Sequence, residues 1–187
     1  MLHVSTRGEA PAIGFTDALL AGLARDGGLY LPQAWPELAP ETIRGFAGRR
    51  YADVAKAVLG PLVDGEIPAA DLDRMIEEAY AGFRHAATCP LVQIGDNLFV
   101  LELFHGPTLA FKDVAMQLLG RLMDHVLKAR GTRATIVGAT SGDTGSAAVD
   151  AFKGLDQVDV FILYPHGRVS DVQRRQMTTV DSANIHA

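Results

Sequence analysis

A single lysine, Lys112, has the surroundings that most clearly suggest covalent chemistry. It lies near the end of residues 101–113 (LELFHGPTLAFKD), where a strand-like apolar run stops at a Gly-Pro turn and a helix then begins. An amine in apolar company, near the positive end of a helix dipole, holds its proton less tightly. A neutral lysine can attack a carbonyl and form a Schiff base. This chemistry points to pyridoxal phosphate (PLP), although a lone lysine at a helix start is most often a solvated surface residue.

A second segment, residues 138–146 (GATSGDTGS), has the composition of an anion seat. It follows a buried strand and opens a helix, so that free backbone N–H groups lie beside the hydroxyls of Thr140, Ser141 and Thr144. Gly142 lets a ligand approach the backbone closely. The lysine of a P-loop and the G-x-G-x-x-G dinucleotide pattern are both absent, so a carboxylate or a single phosphate is favoured over a nucleotide. A turn of this kind can also be only a helix cap.

The elements that position these segments follow from the apolar periodicity. In the first part of the chain the predicted helices are 15–24, 53–59 and 69–83. Further along, the predicted strands are 97–104, 134–139, 158–164 and a last one from 183, and the predicted helices are 109–128, 142–152 and 171–179. Apolar strands that alternate with helices predict an α/β fold with a parallel sheet covered on both faces. We therefore expect two domains, 1–88 and 89–187.

The composition bounds the possible partners and location. The chain has 187 residues, of which 48% are apolar and 21% charged, as in an ordinary globular protein. A formal charge of -5 and the lack of long basic runs disfavour nucleic acid and anionic membranes as partners. The single cysteine, Cys89, excludes an internal disulfide and favours a reducing, cytoplasmic location. No signal peptide and no apolar run of transmembrane length is seen.

Other candidates for chemistry each have a simple structural explanation. The histidines are scattered without an i, i+4 pair, so a metal site is not expected. His105 lies close to the lysine, and Arg168 follows a strand, where it could meet an anion. A turn histidine bonded to backbone is the commoner case for His105, and a solvated side chain is at least as common as an anion contact for Arg168. Cys89 before a proline fits a small apolar filler better than a nucleophile.

The lysine segment resembles the cofactor-lysine segment of the threonine synthase family. Residues 139–145 (ATSGDTG) resemble the loop after the next strand in that family, and residues 162–170 (ILYPHGRVS) match as well. Residues 5–8 (STRG) and 22–32 (GLARDGGLYLP) resemble its N-terminal domain. The matches follow the family's order and run from near residue 5 to the end of the chain.

The resemblance implies a helix-rich N-terminal domain followed by part of a doubly wound parallel-sheet domain of PLP fold type II. It implies conversion of O-phospho-L-homoserine and water into L-threonine and phosphate. Lys112 would hold PLP as a Schiff base and move protons at the substrate α and β carbons. Asp143 would lie beside the phenolic oxygen of PLP, where many relatives have asparagine, so that a proton must be shared there. The residues that would seat the substrate carboxylate are Thr140, Ser141, Gly142 and Thr144.

The chain departs from the family pattern in what it lacks. Family members cradle the PLP phosphate with a later Ser-Gly-Asn-Phe-Gly-Asp loop, and no such segment occurs here. The sequence also stops inside a strand-like run, so we expect a fragment that the remainder of its own chain completes. Two other functions stay open. One is another fold type II PLP lyase, a dehydratase or a phospho-lyase, and the other is a non-catalytic module that folds or binds a small anion.

Overall fold

Seven helices and seven strands form along residues 1–187, all of which the computed structural model describes. The chain divides into two compact units, Met1–Ile76 and Glu77–Ala187. The α/β class with a parallel sheet, predicted from the alternation of strands and helices, is confirmed. The domain boundary between residues 88 and 89 stays a prediction. No helix combines the length and the apolar composition that a membrane crossing needs.

The first unit combines several helices with a two-stranded antiparallel sheet. Its elements are β1 (His3–Ser5), α1 (Phe15–Ala21), β2 (Tyr30–Pro32), α2 (Pro40–Arg44), α3 (Tyr51–Val63) and most of α4 (Ala69–Tyr80). In the sheet, Val4 lies opposite Leu31. The buried apolar stripe of α4 consists of Leu72, Met75, Ile76 and Ala79. This stripe recurs at the helical period and confirms the helix predicted from it.

Asp26 is a hydrogen-bond hub for the turns around the small sheet. Its Oδ1 accepts from the Ser5 hydroxyl at 2.7 Å and from the Gly28 N–H at 2.9 Å. Its Oδ2 accepts from the N–H groups of Glu9 and Ala10, both at 3.0 Å. These bonds, that from Ser5 foremost, lower the pKa of Asp26 from 3.8 to about 2. The ionised carboxylate therefore accepts hydrogen bonds from four donors that would otherwise bond to water.

Replacing Asp26 with asparagine is expected to destabilise the first unit, because an amide NH₂ group would face at least two of the four donors. A carboxyl with a depressed folded-state pKa contributes stability above its unfolded pKa, and that contribution disappears as the pH falls toward 2. The denaturant concentration that unfolds half of the unmodified protein should decrease as the pH is lowered below about 4. The midpoint of D26N should change less over the same range.

A suitable control is D96N, because the Asp96 carboxylate is exposed. Its denaturation midpoint should follow that of the unmodified protein at every pH. If D26N and the unmodified protein lost stability with equal slopes below about pH 4, the role of Asp26 as a hub would be wrong.

The second unit contains a hairpin and a three-stranded parallel sheet. The hairpin consists of β3 (Leu91–Gly95) and β4 (Leu98–Leu101), and the sheet of β5 (Ala134–Ala139), β6 (Val158–Leu163) and β7 (Ile185–His186) in the order β5-β6-β7. Ala134 pairs with Val158, and Val160 pairs with Ile185. Because β5 and β6 are parallel, the loops that follow them leave the sheet at the same edge, where α/β proteins bind ligands.

Three helices accompany this sheet: α5 (Asp113–Arg130), α6 (Asp143–Phe152) and α7 (Asp171–Thr178). Helix α6 packs between α5 and α7 and against β6. Among the most completely buried apolar side chains here are Val149, Phe152, Val158 and Val160. The core of the second unit therefore lies between α6 and the sheet, directly beneath the loops at the sheet edge.

Only one face of the sheet is covered within this chain. On the other face Val137 is 67% exposed and Leu163 is 62% exposed. The prediction that both faces are covered is therefore not met by residues 1–187. The apolar runs predicted cover on both faces because the strands carry apolar side chains on both. Within the second unit, however, no element covers the face with Val137 and Leu163.

The helices predicted at 15–24, 53–59 and 69–83 are found with other bounds, and the strand predicted from 183 begins at Ile185. Two elements of the second unit differ because of local backbone geometry. The strand predicted at 97–104 is one arm of a hairpin, in which Asn97 occupies the turn with a φ of 54°. The helix predicted at 109–128 begins only at Asp113. Leu109 has a φ of 67°, a left-handed conformation that an α-helix does not contain. Lys112 therefore precedes the helix and does not lie within its first turns.

Candidate active site

Lys112 occupies the N-cap position of α5, with φ -62° and ψ -24°. Its side chain is 24% exposed, and its Nζ lies 4.1 Å from the centroid of the Phe111 ring. The same Nζ donates a hydrogen bond to Asp143 Oδ2 at 2.7 Å. The sequence predicted apolar company for this amine, and the structure adds a carboxylate with which it forms an ion pair. This partner is 31 residues away in the chain and is brought to Lys112 by the packing of α6 against α5.

Asp143 is the first residue of α6 and forms the other half of this ion pair. The hydrogen bond from Lys112 holds the pKa of Asp143 below its ordinary value, and the N–H groups of Thr144 and of Asp143 itself act in the same direction. A carboxylate at this end of a helix is also stabilised by the helix dipole. A ligand that reacts with the amine must therefore first separate Lys112 from Asp143.

Thr140 organises the loop between β5 and α6. Its Oγ1 accepts hydrogen bonds from the N–H groups of Gly142 and Gly145, both at 3.0 Å. Gly142 has a φ of 146°, and a Cβ at this position would lie 2.2 Å from Gln173 Oε1. Glycine is therefore favoured there by the backbone conformation, whereas the Gln173 side chain could move to make space for a Cβ. The Thr140 hydroxyl caps the start of α6 and orders the loop from within.

Ser141 and Thr144 are the outward-facing members of the same loop. Both residues are exposed, whereas Gly142 between them is buried. Hydroxyl groups beside the N-terminus of a helix are suited to an anionic ligand. The structure thus brings the predicted residues Lys112, Asp143 and the loop hydroxyls together at one edge of the sheet.

Three other candidates from the sequence lie outside this arrangement. His105 Nε2 is 2.7 Å from Glu102 Oε2, and its ring centroid is 5.1 Å from that of His85. Arg168 is exposed. Burial raises the pKa of the Cys89 thiol, which fits a small packing residue better than a nucleophile. No group of three or more His, Cys, Asp or Glu side chains is placed to hold a metal ion.

Sequence reasoning missed three residues that support the lysine: Thr108, Asp113 and Gln176. Asp113 accepts two hydrogen bonds from Thr108, and Gln176 donates one to the Thr108 carbonyl. The Thr108–Asp113 pair carries a local signal, because Thr and Asp side chains often satisfy backbone groups at the start of a helix. The contact of Gln176 joins residues 68 positions apart, and no local pattern indicates it.

Comparison with known proteins adds independent information. Residues 2–80 match a family model described as the N terminus of threonine synthase. The chain is 57% identical over 186 residues to threonine synthase from Pseudomonas aeruginosa, covering 100% of this chain and 40% of that protein. It is 44% identical to threonine synthase from Schizosaccharomyces pombe, covering 98% of this chain and 38% of that protein.

Solved structures agree with these relatives. The crystal structure of PLP-bound threonine synthase from Brucella melitensis superimposes with a TM-score of 0.97 at 68% identity, covering 100% of this chain and 40% of that chain. The chain therefore has the α/β architecture of solved threonine synthases. It belongs to the threonine synthase family and corresponds to the N-terminal part of its members. It spans about 40% of the length of the relatives that it matches.

Proposed function

We propose that the full-length polypeptide containing this chain is a PLP-dependent threonine synthase. It would convert O-phospho-L-homoserine and water into L-threonine and phosphate. The observation that carries the proposal is the position of the Lys112 amine, 2.7 Å from the carboxylate of Asp143, the first residue of α6. An amine beside an anion seat, here at the starts of two neighbouring helices, is what a cofactor-bound amino acid needs. Family membership then favours phosphohomoserine over other amino acids.

The residues present fit the attachment side of a PLP site. Lys112 is partly accessible at 24% exposure, and a reactive amine with an acidic partner suits a cofactor that carries an aldehyde and a phenolic oxygen. PLP, when bound, serves as an electron sink for the substrate carbons. Asp143 would then face the phenolic oxygen and share a proton with it. The phosphate of PLP would be held by a segment outside residues 1–187.

Lys112 would have two successive tasks. Its amine first holds the cofactor covalently, which separates it from Asp143. Once the substrate amine has taken its place, the freed Lys112 would carry protons to and from the substrate α and β carbons. General acid–base catalysis by a positioned side chain typically contributes about 10²–10⁴-fold in rate. The ion pair with Asp143 gives the amine a defined position before the cofactor is attached.

The loop between β5 and α6 would hold the carboxylate of the substrate. Ser141 and Thr144 are exposed and present their hydroxyls, whereas Gly142 between them is buried and lets the loop turn tightly. Thr140 would act by holding the N–H groups of Gly142 and Gly145 in place. Charge-assisted hydrogen bonds to a carboxylate are shorter and stronger than neutral ones. This loop would therefore fix the substrate with its α carbon toward Lys112.

The remainder of the polypeptide would complete the site by covering the open face of the sheet. That face exposes Val137 and Leu163, which sit on the strands that lead to the loops of the site. The larger part of each matched relative lies beyond the region aligned with this chain. An apolar sheet face of this kind is normally buried in α/β proteins. A second half of the same polypeptide is the occupant that family membership favours.

The chain of 187 residues is expected to show no turnover by itself, because it supplies the lysine and the carboxylate seat but not the rest of the pocket. The full-length polypeptide should release phosphate and form threonine in equal amounts. Both products are measured in parallel, with PLP and O-phospho-L-homoserine supplied to each protein. Turnover by the isolated chain would contradict the first expectation.

The same assay separates the alternatives. Phosphate without threonine would indicate a phospho-lyase, and deamination of serine or threonine without use of phosphohomoserine would indicate a dehydratase. A full-length polypeptide that takes up no PLP would indicate a non-catalytic module. Equal yields of phosphate and threonine would be expected only from a threonine synthase.

A further inference from the structure

Asp113 is the most completely buried charged residue in the chain, with no exposed surface. Both of its carboxylate oxygens accept hydrogen bonds from one residue, Thr108. Oδ2 accepts from the Thr108 N–H at 2.8 Å, and Oδ1 accepts from the Thr108 hydroxyl at 2.6 Å. The two residues close the turn that contains Lys112. A buried carboxylate that is committed entirely to one turn indicates a structural task at that turn.

Thr108 is held from its other side as well. Its carbonyl accepts a hydrogen bond from Gln176 Nε2 of α7 at 3.2 Å, so that its N–H, its hydroxyl and its carbonyl are all used. Gly106 packs directly on the carboxylate, since a Cβ there would lie 2.4 Å from Asp113 Cβ. The intervening Leu109 adopts a φ of 67°. The turn before the helix is therefore locked in one conformation.

We propose that Thr108 and Asp113 form a brace that positions Lys112 for attachment to PLP. This inference rests on the proposed function and assigns both side chains as positioning residues that act through the lysine. Lys112 lies between the two anchored residues, so its backbone direction follows from theirs. That direction sends the side chain toward Asp143 at the edge of the sheet. Loss of these hydrogen bonds would leave Lys112 at the start of α5 but would let its amine occupy a wider range of positions.

The expected effect follows from the geometry that covalent chemistry requires. A displacement of about 1 Å at a reacting group can cost about 10²-fold in rate. D113A removes both hydrogen bonds and should slow attachment of PLP by about that factor. T108V keeps the size of the side chain but removes one of the two bonds, and it should slow attachment by about 10-fold.

Two conservative variants serve as matched controls. T108S keeps the hydroxyl that donates to Asp113. D113N can accept the Thr108 N–H through Oδ1 and donate to the Thr108 hydroxyl through its amide, so it retains both contacts. Both variants should attach PLP at nearly the rate of the unmodified polypeptide. This rescue separates the geometry of the brace from the charge of the carboxylate.

The experiment measures the rate of PLP attachment to the cofactor-free, full-length polypeptide. Attachment is followed by visible absorbance and by borohydride reduction with mass spectrometry of the Lys112 peptide, and melting temperatures are recorded alongside. Slow attachment in T108V with rescue in T108S would support the brace, whether or not D113A folds. Attachment by T108V at the unmodified rate, with only a lower melting temperature, would overturn it. D113N that is as slow as D113A would overturn it too. An unmodified polypeptide that takes up no PLP would overturn both the brace and the proposed function.

Discussion

Replacement of Lys112 by alanine in the full-length polypeptide is expected to abolish covalent attachment of PLP and to lower threonine formation by more than about 10³-fold. The variant loses both the covalent anchor of the cofactor and the group that carries protons at the substrate carbons. Attachment is measured by borohydride reduction and mass spectrometry, and turnover by the release of phosphate and threonine. The loss should appear in both measurements.

A variant with arginine tests whether the ion pair with Asp143 or the chemistry of the amine matters. Lys112→Arg keeps a positive charge that can pair with the carboxylate, but a guanidinium does not lose its proton in proteins and forms no Schiff base. It should be as inactive as the alanine variant while its melting temperature stays close to that of the unmodified polypeptide. Lys128→Ala, at an exposed position near the end of α5, is the matched control and should attach PLP normally. Substantial turnover in Lys112→Arg would contradict the role of the amine.

Replacement of Gly120 by alanine is expected to destabilise the second unit, although alanine favours helices by about 1 kcal/mol over glycine. A Cβ at this position would lie 2.6 Å from the Ala151 carbonyl oxygen of the neighbouring helix. Because the obstacle is backbone, α5 and α6 would have to move apart, and overpacking of this kind costs about 1–3 kcal/mol. The free energy of unfolding, measured by denaturant titration, should fall accordingly.

The same substitution has a consequence for the site. Helix α5 begins directly after Lys112, and helix α6 begins at Asp143, so that a wider spacing of the two helices would weaken the ion pair between these residues. Gly82→Ala is the control, since no atom lies within 4 Å of a Cβ built there. It should leave the unfolding free energy nearly unchanged. A Gly120→Ala protein as stable as the unmodified one would show that the helices can adjust without cost.

Elements with a strong apolar period were predictable from the sequence. The stripe of α4 and the strand Ala134–Ala139 are found where the pattern placed them, because burial of one helix face or of a continuous apolar run leaves a local record. Strand β3 was missed, because Gln93 and Gly95 interrupt its apolar run, whereas β4, the other arm of the hairpin, is a continuous apolar run and was predicted. The start of α5 was placed too early, because the left-handed conformation of Leu109 opposes its own preference and is imposed by the turn around it.

In the candidate site, too, some features were predictable from the sequence and others were not. The lysine segment and the Gly/Ser/Thr loop were found from residue types and spacing alone, because an amine and an anion seat are properties of short segments. The partnership of Lys112 with Asp143 was not found, since it depends on how the starts of α5 and α6 are brought together by the packing of the two helices. The packing of α6 also decides which hydroxyls of the loop face outward. Those of Ser141 and Thr144 do, whereas that of Thr140 caps the helix from within.

The sequence by itself determined which chemical groups this protein can use and to which family it belongs. Side-chain chemistry and short-range helix and turn preferences are written into neighbouring residues. The tertiary structure alone decided that Asp143 holds the amine of Lys112, that Gln176 holds the carbonyl of Thr108, and that one sheet face stays open. These are contacts between residues far apart in the chain. Such contacts form only when burial of the common core offsets the conformational entropy lost in bringing the segments together.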